Sequence, residues 1–311
     1  MILITGGTGF IGKALIRQLA EMGHPIRTLI RPAPRSPNLP RGISVEVAVS
    51  GLTDERGLRA AMVGVNTVYH LIGVEWHGTR ASLYNIDILG TRAIVQAAVD
   101  ARVKRIFFVS HLGADRASAY PVLKAKAVAE EFIRRSGIDY TIVRSAIIFG
   151  PGDGMTTSLA RILHTLPYFF LVPGNGEVLL QPLWVEDLVT CLAWSLEDNE
   201  TRNRMVEIGG PEYLKLNQVV DMVMQASGVQ RKLVNVRPPY LRAITVVLES
   251  MFPGLPVSPY WLDYLAANRT CALDTIPRIF NLIPARMSQR LAYLQSQDWR
   301  GSLVRTLFQR S

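Results

Sequence analysis

Apolar residues in this chain fall into short, nearly unbroken runs, separated by longer stretches in which they recur every third or fourth position. Met1–Thr5 is the first run and ends at Gly6-Gly7; Phe10–Met22 follows with Phe10, Leu15, Ile16 and Leu19 at helical spacing. Pro25–Ile30 reads as a second strand, the Pro-rich stretch Arg31–Pro40 as a loop, and Ile43–Val49 as an alternating strand. Thr53 is placed to cap a helix running to Met62. Thr67–Ile72, Arg105–Ser110 and Tyr140–Ile148 read as strands, and Leu83–Ala101 and Ala119–Ser136 as amphipathic helices. Strands joined by helices of this length form a parallel sheet with right-handed crossovers. Strands apolar on both faces fit a sheet covered on both sides. The expected fold class is therefore α/β: a Rossmann-like doubly wound parallel sheet over residues 1–150, with a smaller, loop-rich C-terminal substrate or partner region over 151–311.

After Gly150-Pro151-Gly152-Asp153-Gly154 the pattern becomes irregular. A helix at Val185–Leu196 is expected to pack on the first domain, with Asp187 as a cap. A strand at Met205–Ile208 and a helical stretch near Asn217 follow. Beyond Pro238-Pro239 the pattern gives short helical pieces broken by Pro253, Pro256, Pro259, Pro277 and Pro284. No internal repeat is present.

Composition narrows the class. Of 311 residues, 49% are hydrophobic and 19% charged, which excludes a disordered, collagen-like or coiled-coil chain. The two cysteines, Cys191 and Cys271, are too few for a disulfide scaffold or a Cys-based zinc site and fit a reducing compartment. The histidines show no ligand spacing, so no metal is expected. The longest apolar candidate, Leu241–Phe252, is broken by Arg242 and Glu249 and falls short of the roughly 18 residues a membrane span needs. With a glycine motif already at residue 6 we expect no leader, and a cytoplasmic location or a peripheral one at the inner face of a membrane.

That motif, Thr5-Gly6-Gly7-Thr8-Gly9-Phe10-Ile11-Gly12, carries the strongest chemical signal. It joins the first strand to the first helix, where glycines let the backbone approach a diphosphate and the helix N-terminus offers N–H groups and partial positive charge. The spacing is G-x-x-G-x-x-G rather than the usual G-x-G-x-x-G. Gly6, Thr8, Gly9, Phe10, Ile11 and Gly12 are the expected cofactor-binding residues. An NAD site expects an acid at the end of the second strand, on the ribose 2′-hydroxyl. Here the position holds Arg31, with Arg35 four residues on and no acid between Arg27 and Arg41. Guanidinium groups there suit a 2′-phosphate, so the expected cofactor is NADP(H).

TGGTGFIG resembles the short-chain dehydrogenase/reductase superfamily in its extended and atypical kinds. So do His70-Leu71-Ile72-Gly73, Asn85 with Gly90-Thr91, Phe108-Val109-Ser110-His111-Leu112-Gly113-Ala114, Asp139–Arg144 with Phe149–Asp153, and Trp184-Val185-Glu186-Asp187. The resemblance covers about residues 1–230. It implies that the backbone of Leu71, Ile72 and Gly73 lies against the cofactor, and that Ser110 and Ser145 stand at cofactor-facing strand exits. Pro238-Pro239-Tyr240-Leu241, Tyr260-Trp261-Leu262-Asp263 and Leu265–Asn268 are similar to one branch, the NADPH-binding accessory subunit of respiratory complex I and its bacterial relatives, with related photosystem-assembly proteins. In that branch the cofactor is held tightly in a structural or regulatory role.

Active members of the superfamily use Tyr-x-x-x-Lys with an upstream Ser. Positions i and i+4 share a helix face, and a nearby ammonium lowers the phenol pKa from about 10 toward working pH. Tyr120-Pro121-Val122-Leu123-Lys124 has that spacing, and Ser110 precedes it by ten residues. A second lysine, Lys126, stands four residues before Glu130, and the resemblance makes this the cofactor lysine. That register puts Val122 at the proton-donor position and leaves Tyr120 about 240° away around a helix. Two readings stay open. One is an NADP(H)-binding protein that keeps the cofactor as a structural or regulatory ligand, in association with a respiratory or other membrane-associated complex. The other is an NADPH-dependent carbonyl reductase or sugar-nucleotide epimerase or dehydratase with Tyr120, Lys124 and Ser110 as its machinery.

Net charge is +9, and residues 231–311 hold 11 Arg/Lys against 4 Asp/Glu. Arginines interleaved with Trp261, Trp299, Tyr260, Tyr264, Tyr293, Phe252, Phe280 and Phe308 suit docking to a membrane-associated complex or an anionic membrane surface, or else a helical cap. There is no Lys-rich stripe or nucleic-acid motif, so no nucleic acid is expected.

Overall fold

The computed structural model describes residues 1–34, 36–74, 82–251, 258–295, 297–299 and 301. Arg35, His77, Phe252, Pro253, Pro256 and Phe308 fall outside the described residues. Strand β1 (Ile2–Thr5) leads into helix α1 (Phe10–Glu21), followed by β2 (Ile26–Ile30), β3 (Glu46–Val49), α2 (Glu55–Ala61) and β4 (Thr67–His70). A π-helical turn, Tyr84–Gly90, runs into α3 (Thr91–Asp100); β5 (Arg105–His111), α4 (Pro121–Arg134) and β6 (Asp139–Ser145) follow. The remaining elements are β7 (Ile148–Phe149), α5 (Thr156–Thr165), β8 (Phe169–Pro173), β9 (Leu179–Leu180), β10 (Leu183–Trp184), α6 (Val185–Trp194) and β11 (Arg204–Ile208). Then come β12 (Leu214–Lys215), α7 (Leu216–Ser227), β13 (Lys232–Val236), α8 (Pro238–Met251), α9 (Pro259–Tyr264) and α10 (Thr275–Phe280).

Seven parallel strands form one sheet in the order β11-β6-β5-β4-β1-β2-β3, a Rossmann-like doubly wound arrangement. Side chains alternate across it. Ile2 and Ile4 pack with Leu15, Ile16, Leu188, Leu192 and Ile276 of α1, α6 and α10. Leu3, Val68 and Ile106 pack with Leu58, Ile94 and Ile133 of α2, α3 and α4 on the opposite face. The chain therefore returns to this layer after residue 150. The expected strand near Met205 is the sheet's outermost member, paired with β6.

A second layer is built from α5, α7 and the parallel pair β8–β13, with Leu159, Leu163, Val219 and Val223 buried against Met287, Leu291, Leu294 and Trp299. Asp153 seats it. The carboxylate, buried before α5, accepts the N–H groups of Thr156 and Thr157 at 3.1 and 2.7 Å and the Thr156 hydroxyl at 2.8 Å. The irregular pattern after Gly150 had hidden this helix.

Local details differ from expectation at four places. Asp54 rather than Thr53 caps α2, because its carboxylate accepts the Gly57 N–H at 3.0 Å. Asp187 does not cap α6; it lies inside the first turn and accepts the Ala285 N–H at 2.7 Å, tying the C-terminal segment to the first layer. The long helix from Leu83 is π-helical for its first seven residues. After Pro238 the chain makes a 14-residue helix, because both prolines sit at its start, where the missing N–H groups cost nothing.

At Gly12 a Cβ would stand 2.2 Å from the Gly6 carbonyl oxygen and 2.7 Å from the Gly7 Cα, all rigid backbone. We expect Gly12→Ala to destabilise the fold by about 1–3 kcal/mol, read as a lower urea midpoint. An unchanged midpoint would contradict this packing.

Candidate nucleotide and ligand site

The site lies where the strand order reverses, at the C-terminal ends of β1 and β4, the crevice in which doubly wound sheets bind ligands. Gly6 leaves β1 in the left-handed region, at φ +78°, and a Cβ there would come within 3.0 Å of the Leu71 carbonyl group. Leu71 in turn donates its N–H to the Thr5 carbonyl at 3.2 Å. The turn and the Leu71-Ile72 segment are thus backbone against backbone.

Helix α1 starts at this turn. Its N-cap, Gly9, has no side chain to accept a first-turn N–H, and no acid occupies the first turn. A Cβ on Gly9 would meet only the Gly6 oxygen, at 3.1 Å, so the remaining space outside the turn is open. Thr8 is exposed, and Phe10 and Ile11 are half-buried. An uncapped, acid-free N-terminus with an open cradle fits a diphosphate. Arg31 follows β2 directly, is exposed, and makes no ion pair among the described residues.

Beneath β4 and β5 lies a buried polar network. Lys126, on α4, forms an ion pair at 3.1 Å with Asp87 of the π-helical turn, and both side chains are almost fully buried. The ammonium stands 5.4 Å from the Phe108 ring centre. His70 bridges Thr5 and Thr91 at 2.7 and 2.9 Å. The single Thr91 hydroxyl proton goes to the Asp87 carbonyl, at 2.5 Å. The Thr91 oxygen therefore accepts from His70 Nε2–H, and Nδ1 accepts from the Thr5 hydroxyl. Burial, and then the charge of Lys126, push the imidazole down to about 3. His70 is a neutral structural link.

Helix α4 displays its two lysines differently. Lys124 is exposed and Lys126 buried. Tyr120 sits at the N-cap, outside the helix, with its ring against Arg269. Val122 is buried among Val74, Leu83 and Ala125. Ser110 is fully buried on β5, and its hydroxyl has no hydrogen-bond partner among the described residues. That orphaned group at a strand exit also fits a ligand. Ser145 is buried and donates to the Ala146 carbonyl at 2.8 Å. Glu130 holds Arg144 of β6 through two bonds of 3.0 and 2.6 Å, which fixes the rotation of α4. Asp87 is the member of this constellation that sequence reasoning missed; its only signal was an acid inside an apolar helical stretch. Among the described residues, no group of His, Cys, Asp and Glu could hold a metal.

Residues 6–159 match the family described as NAD(P)H-binding. The chain is 26% identical over 259 residues to NADH dehydrogenase [ubiquinone] 1 alpha subcomplex subunit 9, mitochondrial, of Arabidopsis thaliana, covering 81% of this chain and 64% of the plant protein. It is 23% identical over 240 residues to photosystem II assembly factor Ycf39 of Cyanophora paradoxa, covering 76% and 71%. Among solved structures it is similar to the NADPH-dependent quinone oxidoreductase QOR2 of Escherichia coli complexed with NADPH, with a TM-score of 0.71 and 20% identity over 94% of this chain and 99% of that one. That last likeness shows the fold.

A histidine held neutral in the fold but free to protonate at 6.5 when unfolded draws protons to the unfolded state. Its contribution is complete above about pH 6.5 and is lost as pH falls toward 3. We expect about 2 kcal/mol to be lost between pH 6.5 and 5 through this group, so denaturant melts of His70→Asn should show a flatter acid limb than the natural chain. Parallel limbs would remove His70 from the network.

Proposed function

We propose that the chain holds NADP(H) as a structural or regulatory ligand, in association with a respiratory or other membrane-associated complex; the match of residues 6–159 to a family described as NAD(P)H-binding supports the nucleotide. The observation that carries the first half is the register of α4. The buried lysine is Lys126, paired with Asp87, and the position one helical turn before it is Val122. Hydride delivery to a carbonyl needs a proton donor at that position, and valine has none. The Tyr120–Lys124 alternative would require an exposed lysine and a tyrosine outside the helix to act as one unit.

In this reading the N-terminus of α1 holds the diphosphate, Gly6 lets the Leu71 backbone close on the turn, and Gly9 leaves the space outside it open. Arg31 and Arg35 pair with the 2′-phosphate, and the backbone of Leu71, Ile72 and Gly73 lines the crevice. Lys126 and Ser110 meet the nicotinamide ribose end, with Ser145 at the neighbouring strand exit. The cofactor, when bound, supplies a hydride donor; the chain's residues orient it and hold its charges. We expect NADPH to bind at least tenfold more tightly than NADH, and Arg31→Ser to erase most of that difference. Lys126→Met should weaken NADPH binding at least tenfold while Lys124→Met leaves it unchanged, both read by fluorescence titration. Equal affinities for the two nucleotides, or sensitivity at Lys124 instead, would overturn the assignment. Turnover of a carbonyl panel that depends on Tyr120 would restore the reductase alternative.

Support for the second half comes from α8. Leu241, Thr245 and Glu249 face inward, whereas Tyr240, Ile244, Val247 and Met251 form an exposed stripe at spacings of four, three and four residues. Exposed Arg237 directly precedes the helix. An exposed apolar stripe with a cation at its start suits an anionic membrane surface or the flank of a membrane complex. Two relatives bear names of respiratory and photosynthetic assemblies. No helix among the described residues is long and apolar enough to cross a membrane, so contact would be peripheral. We expect the chain to co-sediment with vesicles containing anionic lipid, and Ile244→Glu with Val247→Glu to reduce the bound fraction several-fold without lowering thermal stability. Binding unaffected by the double change would move the docking surface elsewhere.

A further inference from the structure

Another buried cation lies beyond the lysine network, near the exit of β5. Arg269 follows α9 in the chain, and its backbone is pinned to β9 by a bond to the Leu179 carbonyl at 3.1 Å. The residue is 7% exposed. Its guanidinium carbon stands 5.9 Å from the Tyr120 ring centre and 5.8 Å from that of Tyr264. The Nη1 end lies over Gly113, where a Cβ would come within 2.3 Å of it. The other edge, Nε and Nη2, makes no hydrogen bond to any described residue. Neither does the buried Tyr264 hydroxyl.

Three features make this more than a satisfied core arginine. No acid pairs with it among the described residues; nearby Asp263 is engaged by Arg242. Two aromatic faces offset part of the cost of burying the charge, but they offer nothing to its N–H groups. The unused Nε and Nη2 N–H bonds point the same way from one planar edge, the fork that receives two oxygens of a carboxylate or phosphoryl group. A small, mainly apolar cavity, about 30 Å³, lies among Tyr120, Tyr264, His111, Leu123, Trp261 and Asp263; Arg269 is not one of its walls, so what calls for a ligand is the orphaned guanidinium edge and the Tyr264 hydroxyl.

We propose that Arg269 is the receptor for a small oxyanion-bearing molecule, whose carboxylate or phosphoryl group seats on the Nε–Nη2 edge with the Tyr264 hydroxyl as a further donor. The inference rests on the reading above only in placing this ligand beside the nicotinamide end of the cofactor, since Gly113 lies three residues beyond Ser110. Binding of the anion itself needs no cofactor.

The test uses the full chain, with and without saturating NADPH, titrated by calorimetry with acetate, benzoate and inorganic phosphate in low-chloride buffer. We expect one class to bind saturably; tighter carboxylates than phosphate would name a carboxylate ligand, and the reverse a phosphoryl one. Arg269→Gln should lose at least tenfold in affinity, and Arg269→Lys, which keeps the charge but not the fork, should also lose severalfold, with NADPH affinity within twofold of the natural chain. If Arg269→Gln fails to fold, Arg269→Lys and the natural chain decide. Natural protein that binds NADPH but none of the three anions, or variants that bind them as the natural chain does, would overturn the proposal. Arg269-dependent anion binding without any NADPH binding would keep this site and sink the cofactor reading.

Discussion

The constraint on which this molecule depends is the approach of two chain segments at the centre of the sheet, where Gly6 meets the backbone of Leu71 with no room for a side chain. Everything that recognises a nucleotide is arranged around that contact. It brings the exit of β1 beside the exit of β4 at the reversal of strand order and aims the N-terminus of α1 into the crevice. The neighbours are carbonyl and amide groups rather than flexible side chains, so a methyl group here would have to push backbone aside and would also be strained at φ +78°.

A second constraint sits one layer beneath. His70, Thr5, Thr91, Asp87 and Lys126 join β1, β4, the π-helical turn and α4 through buried polar contacts. Burying an ion pair is costly, so its value lies in specifying one arrangement more than in adding stability. Glu130, one turn beyond Lys126, fixes the same helix to β6 through Arg144. The rotation of α4 that hides Lys126 and exposes Lys124 is therefore held from both ends.

The first layer was largely legible in the sequence because its signals are local. Apolar runs such as Thr67–His70 and Arg105–His111 are strands on their own terms, and the glycine turn announces its position between a strand and a helix. The second layer was not, since its helix α5 is defined by a buried Asp153 cap and by partners more than fifty residues away. Spacing alone does not say which of Lys124 and Lys126 is buried; that follows from packing of α4 against β5 and the π-helical turn. Arg269 gave no local signal at all. Its surroundings come from Gly113, Tyr120 and Tyr264, which the sequence scatters over 150 residues.

The last strand of the main sheet has a consequence for how the chain is made. β11 is synthesised after α5, β8 and β9 of the second layer, yet β8 and β9 wait for β13 and β12, which come later still. On an emerging chain the edge of β6 stays open until Ile208 has left the ribosome, and α10 closes the same layer only near Phe280. The second layer closes later still, when Met287, Leu291, Leu294 and Trp299 arrive. Apolar faces of both layers therefore wait uncovered until late in synthesis, the interval in which an emerging chain is open to misassembly.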